Sequence, residues 1–185
     1  MRRAALISLS FALLCSIAAA QHGAQRKSFF FKDEVEIETS YDKFDDKTTV
    51  LLSPMTIKSG LLDELGIYAG YAYSGQHRTA PKTFTLGFSY LALADIPNPQ
   101  FRERRDLILL IDGERVPLGA MIYDSDSKST LLGTVQMETM KLHLSPQIFV
   151  RIATAKSVEA RLGTVEFTLT GHHQTGLSKL IATSW

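Results

Sequence analysis

The sequence predicts a mainly β protein: a single-domain antiparallel β-sandwich or barrel of about eight strands, with two short helices around 146–155 and 172–183. Three observations predict it. Apolar and polar residues alternate with period two along much of the chain, as in strands with one buried and one wet face. Gly, Pro and Asp-Gly break these runs at short intervals. Helical spacing appears in only two short segments near the C-terminal end.

The elements follow in order. In KDEVEIETS, Val35 and Ile37 alternate with Glu34, Glu36 and Glu38, which suits a half-buried strand. YDKFDDK (41–47) reads as a charged loop, and TTVLLS (48–53) as a strand ending at Pro54. Ile67, Ala69, Tyr71 and Tyr73 then share one parity, while Tyr68, Gly70, Ala72 and Ser74 share the other. The second face is mostly small and invites close packing by another layer. After the polar loop SGQHRTAPK (74–82), Phe84, Leu86, Phe88 and Tyr90 alternate most clearly. The two aromatic-rich strands are expected to pair, with their large residues facing one core.

Pro97 and Pro99 make IPNPQFRERRD (96–106) a connection. LILLIDGERVPLG (107–119) is a hairpin signal, because Asp112 and Gly113 tolerate the positive φ of a tight turn. A strand at Ala120 to Tyr123, a polar turn at DSDSKS (124–129) and renewed alternation from Leu131 to Leu144 come next. Ser145 and Pro146 open a helix whose Ile148, Phe149, Ile152 and Ala153 fall on one face. SVEARLGTVEFTLT (157–170) reads as one or two strands bending at Gly163. Thr170 or Gly171 begins a last helix with Leu177, Leu180 and Ile181 as its apolar stripe.

The first residues read as a cleaved export signal over 1–20. Arg2 and Arg3 precede an apolar stretch from Ala4 to Leu14, and Ala18 and Ala20 stand at −3 and −1 before Gln21. That stretch is shorter than the roughly 18–20 residues of a membrane span, so the mature chain is expected to hold no transmembrane segment. Leu14, being large, argues against lipidation at Cys15. The protein is thus expected in the periplasm or outside the cell, with a flexible lead over 21–28 and one β-rich domain over 29–185. Cys15 is the only cysteine, so the mature domain relies on its core rather than on disulfides. Loss of Arg2 and Arg3 lowers the basic count from 20 to 18 against 19 acids. Such a balance gives no electrostatic footprint for nucleic acid. The basic cluster RERR, with Glu103 inside it and Asp106 after it, reads as a solvated loop.

YDKFDDKTTV (41–50), LILLIDGERVPLG (107–119) and VEARLGTVEFTLT (158–170) together resemble a loose group of short exported bacterial β-rich proteins of unknown function. The resemblance covers most of the mature chain. It implies an extracytoplasmic β-rich domain with a terminal helix, and carries no activity, cofactor or catalytic residue.

For chemistry, the adjacent His172 and His173 are the first metal candidates, since imidazole is the commonest transition-metal ligand. Adjacency counts against a shared ion: neighbours on a helix point about 100° apart, and on a strand to opposite faces. The bland reading is that both lie in the first turn of the last helix. Asp42, Asp45 and Asp46 are the calcium candidates, weighed against a charged loop before a strand. Asp124 and Asp126 start like a calcium loop, but Lys128 takes the next ligand position. No G-x-S-x-G elbow, HExxH spacing or phosphate-binding glycine loop occurs. Of the rings Tyr68, Tyr71, Tyr73, Tyr90 and Trp185, which are candidates for stacking a sugar, most share parity with apolar neighbours and are expected in core or rim packing. The expectation is a non-enzymatic binding module without a cofactor, whose partner is another envelope or extracellular protein or a glycan. The alternatives are a small extracytoplasmic hydrolase using Asp and His from separate loops, or a metal- or calcium-binding protein.

Overall fold

The alternating stretches pair into ten strands, β1 (Ile37–Asp42), β2 (Lys47–Ser59), β3 (Asp63–Ser74), β4 (Phe84–Ala94), β5 (Asp106–Ile111), β6 (Glu114–Ala120), β7 (Ile122–Thr130), β8 (Gly133–Leu144), β9 (Val158–Leu162) and β10 (Val165–Leu169). Two helices, α1 (Pro146–Thr154) and α2 (Gly171–Ala182), complete the fold. The computed structural model describes residue 31 and residues 34–94, 99–130 and 133–185. The export signal expected over 1–20 and the lead over 21–28 lie outside these residues.

One sheet has the order β1-β2-β3-β4-β8-β7 and the other β10-β9-β5-β6. Every neighbouring pair among them is antiparallel. Both sheets keep two edge strands, so the architecture is a sandwich and not a closed barrel. The parity of each strand decides which side chains enter the shared core. Leu65, Ile67, Ala69 and Tyr71 of β3 and Phe84, Leu86 and Phe88 of β4 enter from the larger sheet. Leu107, Leu109 and Ile111 of β5 and Val158, Ala160 and Leu162 of β9 enter from the smaller one. Phe88 meets Phe167 of β10 edge-on, with ring centres 5.5 Å apart, joining the two sheets.

The helices close one side of this core. Ser145 Oγ accepts the N–H of Ile148 at the start of α1, and Pro146 occupies a position that needs no donor. Phe149 of α1 stacks on Phe84 at 4.3 Å. Gly176 of α2 lies against the Met55 side chain, too close for a Cβ. Tyr71 then donates its hydroxyl to the Thr183 carbonyl at 2.6 Å, just past the helix.

Three expectations need correction. Pro54 does not end a strand, because β2 runs on to Ser59. The β2–β3 register shifts between Leu52 and Met55, and that bulge accommodates a residue with no N–H to donate. DSDSKS is not a turn but lies within β7, which pairs with β8 along its whole length. Its exposed side chains carry no hydrophobic signal, as befits an edge strand. The charged loop at 41–47 is shorter than expected, since Tyr41 and Asp42 belong to β1 and only Lys43 to Asp46 turn. By contrast, Asp112 (φ 52) and Gly113 (φ 83) form the anticipated two-residue turn between β5 and β6.

Candidate functional site

The two histidines occupy the first turn of α2, as their position after a strand suggested. His172 is exposed, while His173 is only 3% exposed. The Thr170 N–H donates to His173 Nδ1 at 2.9 Å, which leaves the proton on Nε2, and Nε2 donates to the Thr56 carbonyl at 2.8 Å. His173 thus serves as the reach-back residue of a helix N-terminus and pins α2 to β2. Burial lowers its pKa, against a smaller opposing effect of the Thr56 hydrogen bond, and the neighbouring His172 adds a lesser lowering. Both ring nitrogens are engaged in holding the fold.

Asp42, Asp45 and Asp46 surround the β1–β2 turn. Asp42 Oδ1 accepts the N–H groups of Phe44 and Asp45, at 2.8 and 3.4 Å, and Asp46 Oδ1 accepts the Tyr41 hydroxyl at 2.9 Å. That bond to Asp46 raises the pKa of Tyr41. Asp46 itself has φ 47, a left-handed conformation that Asp tolerates. This turn precedes Lys47, whereas His173 holds Thr56 near the far end of β2. Nine residues of strand place the two candidates roughly 30 Å apart. Among the described residues, no group of three or more His, Cys, Asp or Glu side chains converges as a metal site. Asp124 and Asp126 each accept the N–H of the following serine in β7, at 2.9 and 2.7 Å.

A buried carboxylate escaped the sequence reading. Glu138 of β8 is fully buried, and its oxygens accept the N–H of Gln100 (2.7 Å), the N–H of Phe101 (2.9 Å) and the Tyr123 hydroxyl (3.1 Å). The parity that sends Leu144 inward also sends Glu138 inward, so the signal was a polar residue at a core position. Its role is to seat the loop ahead of β5. Close by, Tyr90 donates to Asp63 at 3.1 Å, and burial first, then the Asp63 charge, pushes its pKa up. Of the other candidate rings, Tyr71 is buried in the core, Tyr68 lies across Gly87, and Trp185 is exposed.

The outer face of the four-stranded sheet is organised differently. Cross-strand pairing sets two rows over β10, β9, β5 and β6: Glu166, Arg161, Ile108, Pro117, then Thr168, Glu159, Leu110, Arg115. Ile108 and Leu110 are half-buried, although they point away from the core. They floor an open depression of about 480 Å³ rimmed by Arg115, Glu159, Arg161 and Glu166. A second depression continues from it past Pro117 and Gly163, sharing Ile108, Arg161 and Glu166. Among the described residues, no hydrogen bond or ion pair engages any of the four charged side chains. Sequence alternation places Ile108 and Leu110 on a β5 face opposite Leu107 and Leu109, but only the sheet order shows what surrounds them. Comparison with protein-family models, with curated proteins and with solved structures finds no match to this chain.

Proposed function

We propose that the protein is an exported, non-enzymatic interaction module of the periplasm or extracellular space. Its partner sits on the outer face of β10, β9, β5 and β6. One observation carries this reading: Ile108 and Leu110 are ringed by four charged groups that no other described residue engages. An apolar centre with a polar rim is the anatomy of a protein-binding surface. A protein fits it better than a glycan, because sugar stacking needs exposed ring faces and the one aromatic ring of the lining, Phe167, is half-buried against Phe88. Export is supported by the Arg2-Arg3 start, the apolar stretch that follows, and Ala18 and Ala20 before Gln21.

The test is cross-linking and pull-down from the envelope fraction, with wild type beside an Ile108→Asp, Leu110→Asp variant. Both side chains face outward, so the variant should keep its thermal midpoint within a few degrees while losing at least tenfold of the captured partner. Equal capture by the variant would refute the assigned face. Export is tested by N-terminal sequencing of the fractionated protein: a chain starting at Gln21 is expected, and cytoplasmic protein retaining residues 1–20 would refute it.

A further inference from the structure

The larger sheet has one edge that is built differently from the others. Three of the four edge strands carry a device that hinders pairing with another chain. In β7, the N–H groups of Ser125 and Ser127 are taken by the carboxylates of Asp124 and Asp126. In β6, Pro117 has no N–H, and Gly119, with φ 84, lies beside a break in register. Strand β10 lies against β2 and α2. Strand β1 has neither proline nor glycine, and among the described residues no side-chain bond to its own N–H groups is found from Ile37 to Asp42.

The direction of its free groups follows from the ladder. Ser53 donates its N–H to the Glu36 carbonyl at 2.9 Å, and this pair continues the register Ile37 to Leu52. Hydrogen-bonded and non-bonded pairs alternate in an antiparallel ladder. Glu38, Ser40 and Asp42 therefore bond to β2, and the N–H and C=O groups of Ile37, Thr39 and Tyr41 point to the open side. Thr39 and Tyr41 are exposed, and among the described residues no strand pairs with this edge.

We propose that β1 is a strand-addition site for an extended, basic polypeptide segment. Backbone groups of Ile37, Thr39 and Tyr41 supply the new ladder, and charge selects the occupant. From residue 34 to residue 47 the chain carries Glu34, Glu36, Glu38, Asp42, Asp45 and Asp46 against only Lys43 and Lys47. Two copies pairing through β1 would bring like charges together, which disfavours self-association. An incoming antiparallel strand faces Glu38 and Asp42 at non-bonded positions, where cross-strand side chains approach most closely. Lys or Arg belongs at those two places, a small polar residue opposite Ser40, and β-branched residues opposite Ile37, Thr39 and Tyr41. This site is separate from the face of the four-stranded sheet and does not depend on it.

A labelled peptide of pattern Lys-Val-Thr-Val-Lys-Val, with Glu-Val-Thr-Val-Glu-Val as its counterpart, tests the proposal by fluorescence anisotropy with the purified protein at low salt. The basic peptide should bind at least tenfold more tightly than the acidic one, and added salt should weaken it. Thr39→Pro removes a donor on the open side and none from the β1–β2 ladder. It should cut affinity at least tenfold with little change in melting temperature. Glu38→Lys combined with Asp42→Lys should reverse the preference between the peptides, and it decides the matter alone if the proline variant does not fold. The proposal is overturned by absence of binding up to millimolar peptide, by equal binding of both peptides, or by an unchanged preference in the charge-reversed variant.

Discussion

Replacing His173 probes the joint between α2 and the larger sheet. In His173→Ala, the Thr56 carbonyl loses its donor and the Thr170 N–H loses its acceptor. Loss of the reach-back bond at a helix N-terminus costs about 1 kcal/mol. A partly buried carbonyl left without a donor adds about 1–2 kcal/mol, and the ring's lost contacts about 1 kcal/mol more. The expected destabilisation is therefore about 3–4 kcal/mol by urea unfolding. His173→Gln should recover about 1 kcal/mol of this, since Gln restores the bond to Thr170 but is too short to reach Thr56 as well. The pH dependence gives an independent readout. Burial keeps the folded imidazole neutral below its ordinary value of 6.5, at which the unfolded chain takes up a proton. The unfolded state then binds more protons, so stability rises with pH. The contribution of His173 is complete above about pH 6.5 and is lost as pH falls toward the lowered folded value, with a slope of up to about 1.4 kcal/mol per unit. Unfolding curves from pH 7.5 to 5 should show this slope in the wild type and a shallower one in His173→Gln. Equal slopes, or a loss under 1 kcal/mol in His173→Ala, would refute the role assigned to the ring.

Glu138→Leu leaves two backbone N–H groups and the Tyr123 hydroxyl without their acceptor, and should lower stability by about 3 kcal/mol in the same urea assay. Glu138→Gln retains one acceptor oxygen and should lose about half as much; a neutral Leu variant would contradict the anchoring role. At Gly163 (φ 58) an added Cβ would run into the Arg104 carbonyl, so Gly163→Ala should cost about 2–4 kcal/mol. Gly113→Ala, at φ 83 but in open space, should cost only about 1 kcal/mol. Similar melting points for the two alanine variants would show that the Arg104 contact does not matter.

Much of the fold was legible because periodicity follows directly from burial on one face. Phe84, Leu86 and Phe88 alternate since every second residue of β4 enters the core, and Ser145-Pro146 marks a helix start by local chemistry alone. Strands without that contrast were misread. β7 has an exposed, polar sequence that resembles a turn, and only its pairing with β8 makes it a strand. Pro54 looked like a stop because a bulge depends on the partner strand β3. The site was legible only in part. The place of His172 and His173 at a helix start could be read, whereas the bond from His173 to Thr56 spans 117 residues and leaves no local trace. Glu138 was visible as a polar residue at inward parity, but its partners lie in a distant loop.

By itself, then, the sequence determined the mainly β class, the two helices and the hairpin at Asp112-Gly113, all set by neighbours within a few residues. It also set the chemistry of each strand face, including the acids of β1 and the alternation of Ile108 and Leu110 with core residues. Tertiary structure alone decided which strands share a sheet and which stand at an edge. Sheet order put Arg161 and Glu159 on one side of Ile108 and Leu110, with Arg115 on the other, and set β1 at the edge of the larger sheet. Strand pairing is a long-range choice made by the whole core, so the surfaces it creates cannot be read from any one stretch of chain.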